Sequence, residues 1–447
     1  MGNKPKKLLV VSYHFPPLAT AGMYRIAGLI TRLRARGWDI TVLTVKKSSH
    51  EKMDPSTQAM IPDDVKVIRT RCPEVVGLAR RLARARPGGA KLPSTPDEGE
   101  DNAAGQSLLT RLYRIAKLPF RWTYQALSYP DPQVGWIPIA AFHIVREARR
   151  RGAVVLSSTP PHTTQFAVRC ARMLRRFRWV ADFRDPWTAP LREPKSRLNL
   201  WFQRSMERSV IGACDRVIAN TPGNRAALLA AFPHIDPAKI EVITNGFEPI
   251  DDRGPGARPE GPPDSDMVYF GELYPGMFDL YFAAIQEIRA RRPELVPKLE
   301  LYGLAHDEDV KRVERAGFDG HVFFRGTVTY TRSIELMRRA RSLLLLLPPQ
   351  ERWATCVPSK MYAYLFAGRP VLVIAPPGDA TRIVSETGVG VSLTSRDPAI
   401  IADGLADFVQ AVRSGSFSAL RSEESLRPYT MESIASRVEH TLLGENG

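Results

Sequence analysis

The chain has 447 residues, 44% hydrophobic and 25% charged, which excludes wholesale disorder and collagen-like or coiled-coil architectures and leaves room for about two domains. Its four cysteines (Cys72, Cys170, Cys214, Cys356) are far apart and form no C-x-x-C pair, so neither a disulfide framework nor a zinc site is expected and a reducing cytosol is the natural compartment. Residues 1–250 carry 40 Lys and Arg against 20 Asp and Glu, and residues 251–447 carry 23 against 27, so a polyanionic partner is expected for the first part alone.

In chain order, the opening MGNKPKKLLVVSYHFPP has an apolar run that is too short to span a bilayer and meets Pro16-Pro17 without a cleavage site. Leu8 to Val11 therefore reads as a buried strand, within a predicted strand over Lys7 to Ser12. Helical periodicity follows over Tyr24 to Arg36, then a strand over Trp38 to Val45. Leu78 to Arg86 (LARRLARAR) reads as a solvated basic face or an interfacial helix. Arg86 to Gln106 is dominated by Pro, Gly and charge and reads as a loop. Residues 108–124 (LLTRLYRIAKLPFRWTY) mix aromatic and aliphatic residues with Arg and Lys at roughly helical spacing, the pattern of a helix lying on an anionic membrane or of an ordinary surface helix with a solvated basic face. Nucleic acid is the weaker reading of the same charge, since no recognition motif accompanies it.

Strands are then predicted at Ala153 to Ser158, Trp179 to Asp182, Ala213 to Asn220 and Glu241 to Thr244, with helices over Thr163 to Arg176 and Asn224 to Phe232. This alternation specifies a doubly wound parallel sheet. A Pro/Gly-rich stretch over 251–266 reads as a linker, and the scheme restarts: strands at Met267 to Phe270, Leu299 to Tyr302, Val322 to Arg325, Leu343 to Leu347 and Val371 to Ile374. Helices fall at Leu280 to Arg291, Glu308 to Ala316, Ser333 to Arg339 and Lys360 to Ala367. The expected organisation is an α/β fold of two Rossmann-like domains, 1–250 and 267–425. A C-terminal helix over 426–447 can cross back to the first domain. Ligands are expected at the carboxyl ends of the strands, in a cleft between the domains.

The loop after the first strand, SYHFPPLATAGMYR, places Gly22 at the start of a helix whose free N–H groups could hold a diphosphate or an oxyanion. An ordinary β-α turn explains a single glycine equally well.

Position by position, the chain resembles the family-four glycosyltransferases of the GT-B fold, in particular bacterial cell-surface polysaccharide members. The residues that carry the resemblance in the first half are YHFPPLATAGMYR (Tyr13 to Arg25), GWDITVLT (Gly37 to Thr44), PDPQVGW (Pro130 to Trp136), SSTPPHTT (Ser157 to Thr164), ADFRDPW (Ala181 to Trp187), DRVIANTP (Asp215 to Pro222) and VITNGF (Val242 to Phe247). In the second half they are YFGELYPG (Tyr269 to Gly276), FFRGTV (Phe323 to Val328) and PSKMYAYLFAGRPVL (Pro358 to Leu372). The resemblance implies a nucleotide-sugar donor held mainly by the second domain, an acceptor held by the first, and transfer with retention of configuration without an obligatory metal or cofactor. It implies donor-binding roles for Gly22, Gly271, Glu272, Tyr274, Arg325, Gly326, Ser359 and Lys360, and acceptor-side roles for His14, Tyr24 and Arg25.

Four departures from the family pattern stand out. Glu272 occupies the position where the commonest pattern has an arginine, and Met277 another. The signature of two glutamates seven residues apart falls on Thr355 and Ala363, neither of them acidic. A missing acceptor for ribose hydroxyls would forfeit a charge-assisted hydrogen bond of about 1.5 to 3 kcal/mol. Lys360, Arg325 and Arg352 are the remaining basic candidates for the diphosphate.

Departure of a leaving group from an anomeric carbon builds negative charge on the nucleoside diphosphate, so cations and donors around the phosphates are the main requirement. His162, after a strand and before a helix, lies where relatives carry a histidine lining the acceptor side, and a neutral imidazole there could relay a proton; a helix cap is the alternative. Asp185 could line the cleft or cap a helix, with Arg184 as its ion-pair partner. Asn245-Gly246 reads as a turn.

The expected function is transfer of a sugar from a nucleotide-sugar to a lipid-linked or polysaccharide acceptor, in cell-surface polysaccharide biosynthesis, by a cytoplasmic protein peripheral on the inner face of the cell membrane. A degenerate member acting as a scaffold in an assembly complex is the first rival, favoured by the missing glutamates and arginine. A sugar-nucleotide epimerase or hydrolase is the second.

Overall fold

The computed structural model describes residues 6–18, 20–46, 53–73, 129–149, 154–185, 187–188, 197–248, 265–274, 276–417 and 422–444. Seven strands form the first sheet: β1 (Lys6–Ser12), β2 (Trp38–Val45), β3 (Lys66–Thr70), β4 (Val154–Thr159), β5 (Trp179–Phe183), β6 (Arg216–Ala219) and β7 (Ile240–Val242), in the order β3-β2-β1-β4-β5-β6-β7. Leu8, Leu9, Val10 and Val11 are all buried, as a continuous apolar run must be when its strand lies inside a parallel sheet; Leu8 is paired in parallel with Ile40 on one side and Val154 on the other.

The second sheet has six strands: β8 (Met267–Phe270), β9 (Leu299–Tyr302), β10 (Val322–Gly326), β11 (Ser342–Leu346), β12 (Val371–Ile374) and β13 (Gly390–Leu393), in the order β10-β9-β8-β11-β12-β13. Alternation along β8 divides its core. Tyr269 packs with Phe278, Tyr281 and Phe282 on one face, and Phe270 with Tyr362 and Tyr364 on the other. In each sheet the direction of strand addition reverses once, between β1 and β4 and between β8 and β11, which are the points where an open α/β sheet presents a crevice.

The predicted strands at Trp38–Val45, Met267–Phe270, Leu299–Tyr302 and Val371–Ile374 coincide with β2, β8, β9 and β12. Four helices were missed between predicted elements: Ile137–Ala148, Arg197–Ala213, Asp379–Thr387 and Pro398–Ser414. The strands β3 and β13 were missed as well, the first because its exposed Lys66 and half-buried Arg69 dilute the apolar pattern at a sheet edge.

By contacts the chain divides into two compact units, Met1–Thr188 with Pro194–Ile218, and Ala189–Glu193 with Ala219–Gly447. The second unit thus takes in β7. The C-terminal helix, expected over 426–447, runs over Met431–Leu443 and is anchored there: Thr441 Oγ1 donates to Glu241 Oε2 at 2.6 Å, Arg437 donates to the Val242 carbonyl, and the Phe247 amide donates to Tyr429 O at 3.1 Å. The expected loop over 86–106, the basic segments 78–86 and 108–124, and 251–264 of the expected linker lie outside the described residues. Asp266, expected as the last linker residue, is instead buried, holding Arg413 at 2.7 and 2.9 Å and the Lys298 amide at 2.8 Å. Among the described residues no helix is long and apolar enough to cross a membrane.

Candidate active site

In the first unit the candidate residues gather at the carboxyl ends of β1, β4 and β5. Helix Ala21–Ala35 leaves β1 with Thr20 as an extended N-cap that makes no side-chain capping bond, and its first turn holds no acidic residue. Its amino end is therefore an uncompensated positive dipole. Gly22 is buried, and a Cβ there would lie 1.6 Å from Arg184 Nη1, so glycine serves here to admit a guanidinium against the helix turn.

Arg25, expected on the acceptor side, is instead part of the frame. It donates Nε and Nη2 to the two oxygens of Asp182 at 3.1 and 3.0 Å, with both side chains almost fully buried, and Ser158 Oγ adds a bond to Asp182 at 2.9 Å. Arg184 does not hydrogen-bond to Asp185. Its Nε donates to Thr159 O at 2.6 Å and its Nη2 to Pro160 O at 3.1 Å, both carbonyls at the end of β4, while the Asp185 carboxylate is exposed and acts on Arg184 through its charge. Among the described residues, 187–188 form a turn and the next helix after Asp185 begins at Arg197.

His162 is buried at the N-cap of helix Thr163–Leu174 with its ring 4.9 Å from that of Trp187, edge to face, and makes no side-chain capping bond. The cap comes from Asp131 of the PDPQVGW segment, which accepts from Thr163 N at 2.7 Å and Thr163 Oγ1 at 2.5 Å. Burial raises the Asp131 pKa in spite of these bonds. His14 is pushed down to about 4 by burial and by the charge of Arg184, and is therefore a neutral imidazole at physiological pH. Tyr24 is turned toward Asp54; burial and that carboxylate push its hydroxyl up to about 12. Glu207 was not foreseen: fully buried, it accepts from Trp187 N at 3.0 Å and Thr188 Oγ1 at 2.5 Å, and burial pushes its carboxyl up to about 7.

In the second unit, helix Ser359–Ala367 follows β11 across the reversal point, with Ser359 exposed and Lys360 half-buried in its first turn. Lys360 Nζ donates to Tyr269 Oη at 2.6 Å and lies 3.9 Å from the centre of that ring; Tyr269 Oη in turn donates to Glu272 O at 2.9 Å. Gly271 holds a φ of +116°, and a Cβ there would come within 2.8 Å of Nζ, so the residue after β8 is glycine for both backbone and space. Burial lowers the Lys360 pKa to about 7, while burial and nearby Tyr274 and Glu272 raise that of Tyr269. Glu272 is exposed, and Tyr274, 49% exposed, stacks on Trp353 with centroids 6.4 Å apart. Met277, at one of the positions where relatives carry arginine, is buried against Tyr269 Oη at 3.3 Å.

Arg325 is engaged by a carboxylate that the sequence did not reveal. Its Nε and Nη2 both donate to Glu300 Oε1, at 3.1 and 2.8 Å, and Glu300 also accepts from Tyr302 Oη at 3.1 Å. Gly326, with φ +73°, accepts the Gly303 amide at 2.8 Å. Ala363 is buried in the core, and the Thr355 carbonyl accepts from Thr221 Oγ1 at 3.2 Å. Lys360 is thus the basic candidate held at the mouth of the second sheet's crevice. Asp131 and Tyr269, both inside quoted motifs, are partners that only the three-dimensional arrangement exposes.

Comparison with known proteins agrees with this architecture. Residues 22–246, just over half of the chain, match the family described as Glycosyl transferase 4-like domain. A search of curated proteins finds no match. Among solved structures, Anabaena HepE in complex with UDP is similar at 13% identity and a TM-score of 0.61, covering 98% of this chain and 100% of that one; its complex with UDP-glucose is equally similar. Sucrose-phosphate synthase from Thermosynechococcus elongatus shares 14% identity at a TM-score of 0.63, covering 99% and 100%. TarM of S. aureus shares 10% at 0.62, covering 98% of each chain. These likenesses carry the fold, and the family match carries the class: the chain belongs to the glycosyl transferase 4-like family and is a glycosyltransferase of the GT-B fold.

Proposed function

We propose that the enzyme transfers a sugar from a nucleotide-sugar donor to a lipid-linked or glycan acceptor, with retention of configuration and without an obligatory metal, in cell-surface polysaccharide synthesis at the cytoplasmic face of a membrane. The observation that carries the donor half is Lys360 at the amino end of helix Ser359–Ala367, against Gly271. An anion placed there meets a cation, a helix dipole and a side-chain-free loop together. Exposed Leu304 and Val328, just beyond β9 and β10, offer an apolar ledge for a flat base.

The acceptor half draws support from the surface of the first unit. Helices Ile137–Ala148, Thr163–Leu174 and Arg197–Ala213 pack side by side and leave Phe142, Met173, Leu174, Trp201 and Phe202 exposed, with Arg146, Arg175, Arg176, Arg204 and Arg208 exposed on or next to them. Aromatic side chains interleaved with arginines suit the headgroup level of an anionic bilayer. Binding to anionic vesicles is expected to fall steeply with salt; binding indifferent to salt would remove the membrane element.

A second reading, a scaffold that has kept the fold without turnover, is favoured by Thr355 and Ala363 in place of the usual acidic pair and by the neutralisation of Arg325 by Glu300. Nucleotide binding separates the two: a panel of UDP, GDP, ADP and TDP and their sugars should yield one selective ligand for the transferase and none for the scaffold.

A further inference from the structure

We infer that Trp187 is the residue of the first unit that meets the acceptor, its indole N–H donating to a hydroxyl oxygen of an uncharged sugar ring, and that Glu207 is its positioning residue. The inference rests on the transferase reading and deepens it by naming the chemical class of the accepting group.

The charged side chains at the carboxyl ends of β4 and β5 are already engaged. Arg25 and Asp182 pair with each other, Asp131 accepts from Thr163, and Arg184 donates to the Thr159 and Pro160 carbonyls with Asp182 and Asp185 as counter-charges. What is left over there is neutral. Trp187 Nε1 and Thr164 Oγ1, and from the loop after β1 Thr20 Oγ1 and His14 Nδ1, are buried with no hydrogen-bond partner. A buried indole N–H ordinarily finds an acceptor, and one held out of water without it carries a cost that folding alone does not explain. Neutral donors and acceptors with no cation among them suit hydroxyl groups rather than a phosphate.

Trp187, only 3% exposed, is held through its main chain. Helix Arg197–Ala213 commits a fully buried carboxyl to it: Glu207 Oε1 accepts from the Trp187 amide at 3.0 Å and Oε2 from Thr188 Oγ1 at 2.5 Å. The indole is set edge to face against His162, with ring centres 4.9 Å apart. Two hydrogen bonds to one buried carboxyl thus fix the place of a side chain whose own polar atom makes none.

The same helix adds a second feature. Phe202, 45% exposed, packs against Tyr129 with ring centres 6.1 Å apart, and Tyr129 lies just before Asp131, which caps the helix that starts beside His162. The negative face of an aromatic ring attracts the C–H groups that line the face of a sugar. A sugar ring therefore satisfies both features, with a hydroxyl at Trp187 and its C–H face on the aromatic pair; a phosphate satisfies neither.

The test uses the full chain labelled isotopically on nitrogen, whose seven tryptophans give seven indole resonances, that of Trp187 being the one lost in Trp187→Phe. The probes are the methyl glycosides of glucose, galactose, mannose and N-acetylglucosamine at high millimolar concentration, with inorganic phosphate as the contrast, each with and without UDP. At least one glycoside should move the Trp187 N–H resonance downfield, as a proton that gains an acceptor does, and phosphate should leave it in place. Affinity for that glycoside should fall about tenfold in Trp187→Phe and in Glu207→Ala, and stay within about twofold of wild type in Glu207→Gln, which still accepts from the Trp187 amide. A merely structural role would shift the melting temperature and leave glycoside affinity unchanged. The inference is overturned if no glycoside moves the resonance, if phosphate alone moves it, or if Trp187→Phe binds the glycoside as tightly as wild type. Should Trp187→Phe not fold, replacement of Trp187 by benzothienylalanine, which keeps the bicyclic ring with sulfur in place of the N–H, decides the matter. A protein that binds a nucleotide while its Trp187 ignores every glycoside keeps the transferase reading and loses this inference. Glycoside binding at Trp187 in a protein that binds no nucleotide sustains this inference and removes the donor reading alone.

Discussion

Lys360 and Tyr269, 91 residues apart in sequence, are joined by a 2.6 Å hydrogen bond from Nζ to Oη, with the ammonium 3.9 Å from the centre of the same ring. The tyrosine fixes the lysine without neutralising it, so the charge stays available to an anion above Gly271. Replacing Lys360 by Ala removes a charge-assisted contact of about 1.5 to 3 kcal/mol, and nucleoside diphosphate affinity should fall about 10- to 100-fold. Tyr269→Phe keeps the charge and should cost less. Calorimetric titration with the preferred nucleotide checks both, and equal losses would show that the hydroxyl rather than the ammonium meets the ligand.

The lowered Lys360 pKa gives this site a pH signature. Burial brings it to about 7 from an ordinary value of 10.5. Between these values the unfolded chain binds the proton and the folded one does not, so this residue's contribution to stability rises with pH across that window. Anion binding favours the charged form, so diphosphate binding takes up a proton and weakens as pH rises above about 7. Titrations in buffers of different ionisation enthalpy should register that uptake, and Lys360→Ala should abolish it.

Glu207 works in the opposite sense. Its carboxyl is raised from 4.5 to about 7, so the folded state holds a proton that the unfolded state releases, and stability drains away as pH rises from about 4.5 to 7. Glu207→Gln should flatten this part of the melting-temperature profile while retaining an acceptor for the Trp187 amide.

The buried pair of Arg25 and Asp182 is a frame rather than a ligand site. Asp182→Ala leaves an uncompensated guanidinium in the core and should cost about 3 to 5 kcal/mol, whereas Arg25→Met combined with Asp182→Leu should recover most of the loss. Denaturant unfolding of the three variants measures the coupling. An Asp182→Ala variant as stable as wild type would show that the pair is open to water.

Asp131 ties the PDPQVGW segment to the amino end of helix Thr163–Leu174, next to His162. Asp131→Ala should destabilise by about 1 kcal/mol, as lost caps do. If His162 relays the acceptor proton, kcat should drop while the donor KM holds steady; a donor KM that rises alone would place His162 outside the chemistry.

Where backbone and burial decide, the fold was legible in the sequence. Continuous apolar runs such as Leu8 to Val11 and Leu343 to Leu346, short and ended by turn residues, fit a parallel strand covered on both faces, and all of these residues are buried. What escaped were elements whose burial depends on partners far away: β3 at the sheet edge, and helix Ile137–Ala148, which follows Trp136. The site was legible only residue by residue. Lys360 stood out inside its motif, but pairings such as Lys360 with Tyr269, Arg325 with Glu300 and Asp131 with Thr163 join residues 91, 25 and 32 positions apart and leave no trace in local spacing. Arg184 looked like the partner of its neighbour Asp185 because sequence adjacency hides the carbonyls of β4 that hold it.

The most direct test of the account is a thermal-shift panel on wild type and Lys360→Ala with UDP, GDP, ADP, TDP and their sugars, where a ligand at 100 times its dissociation constant adds about 2.7 kcal/mol and shifts the melting temperature by several degrees. The expected result is selective stabilisation of the wild type by one nucleotide class and a diminished shift in the variant. Stabilisation by no nucleotide, even with anionic lipid present, or an identical shift in both proteins, would contradict a donor site built on Lys360.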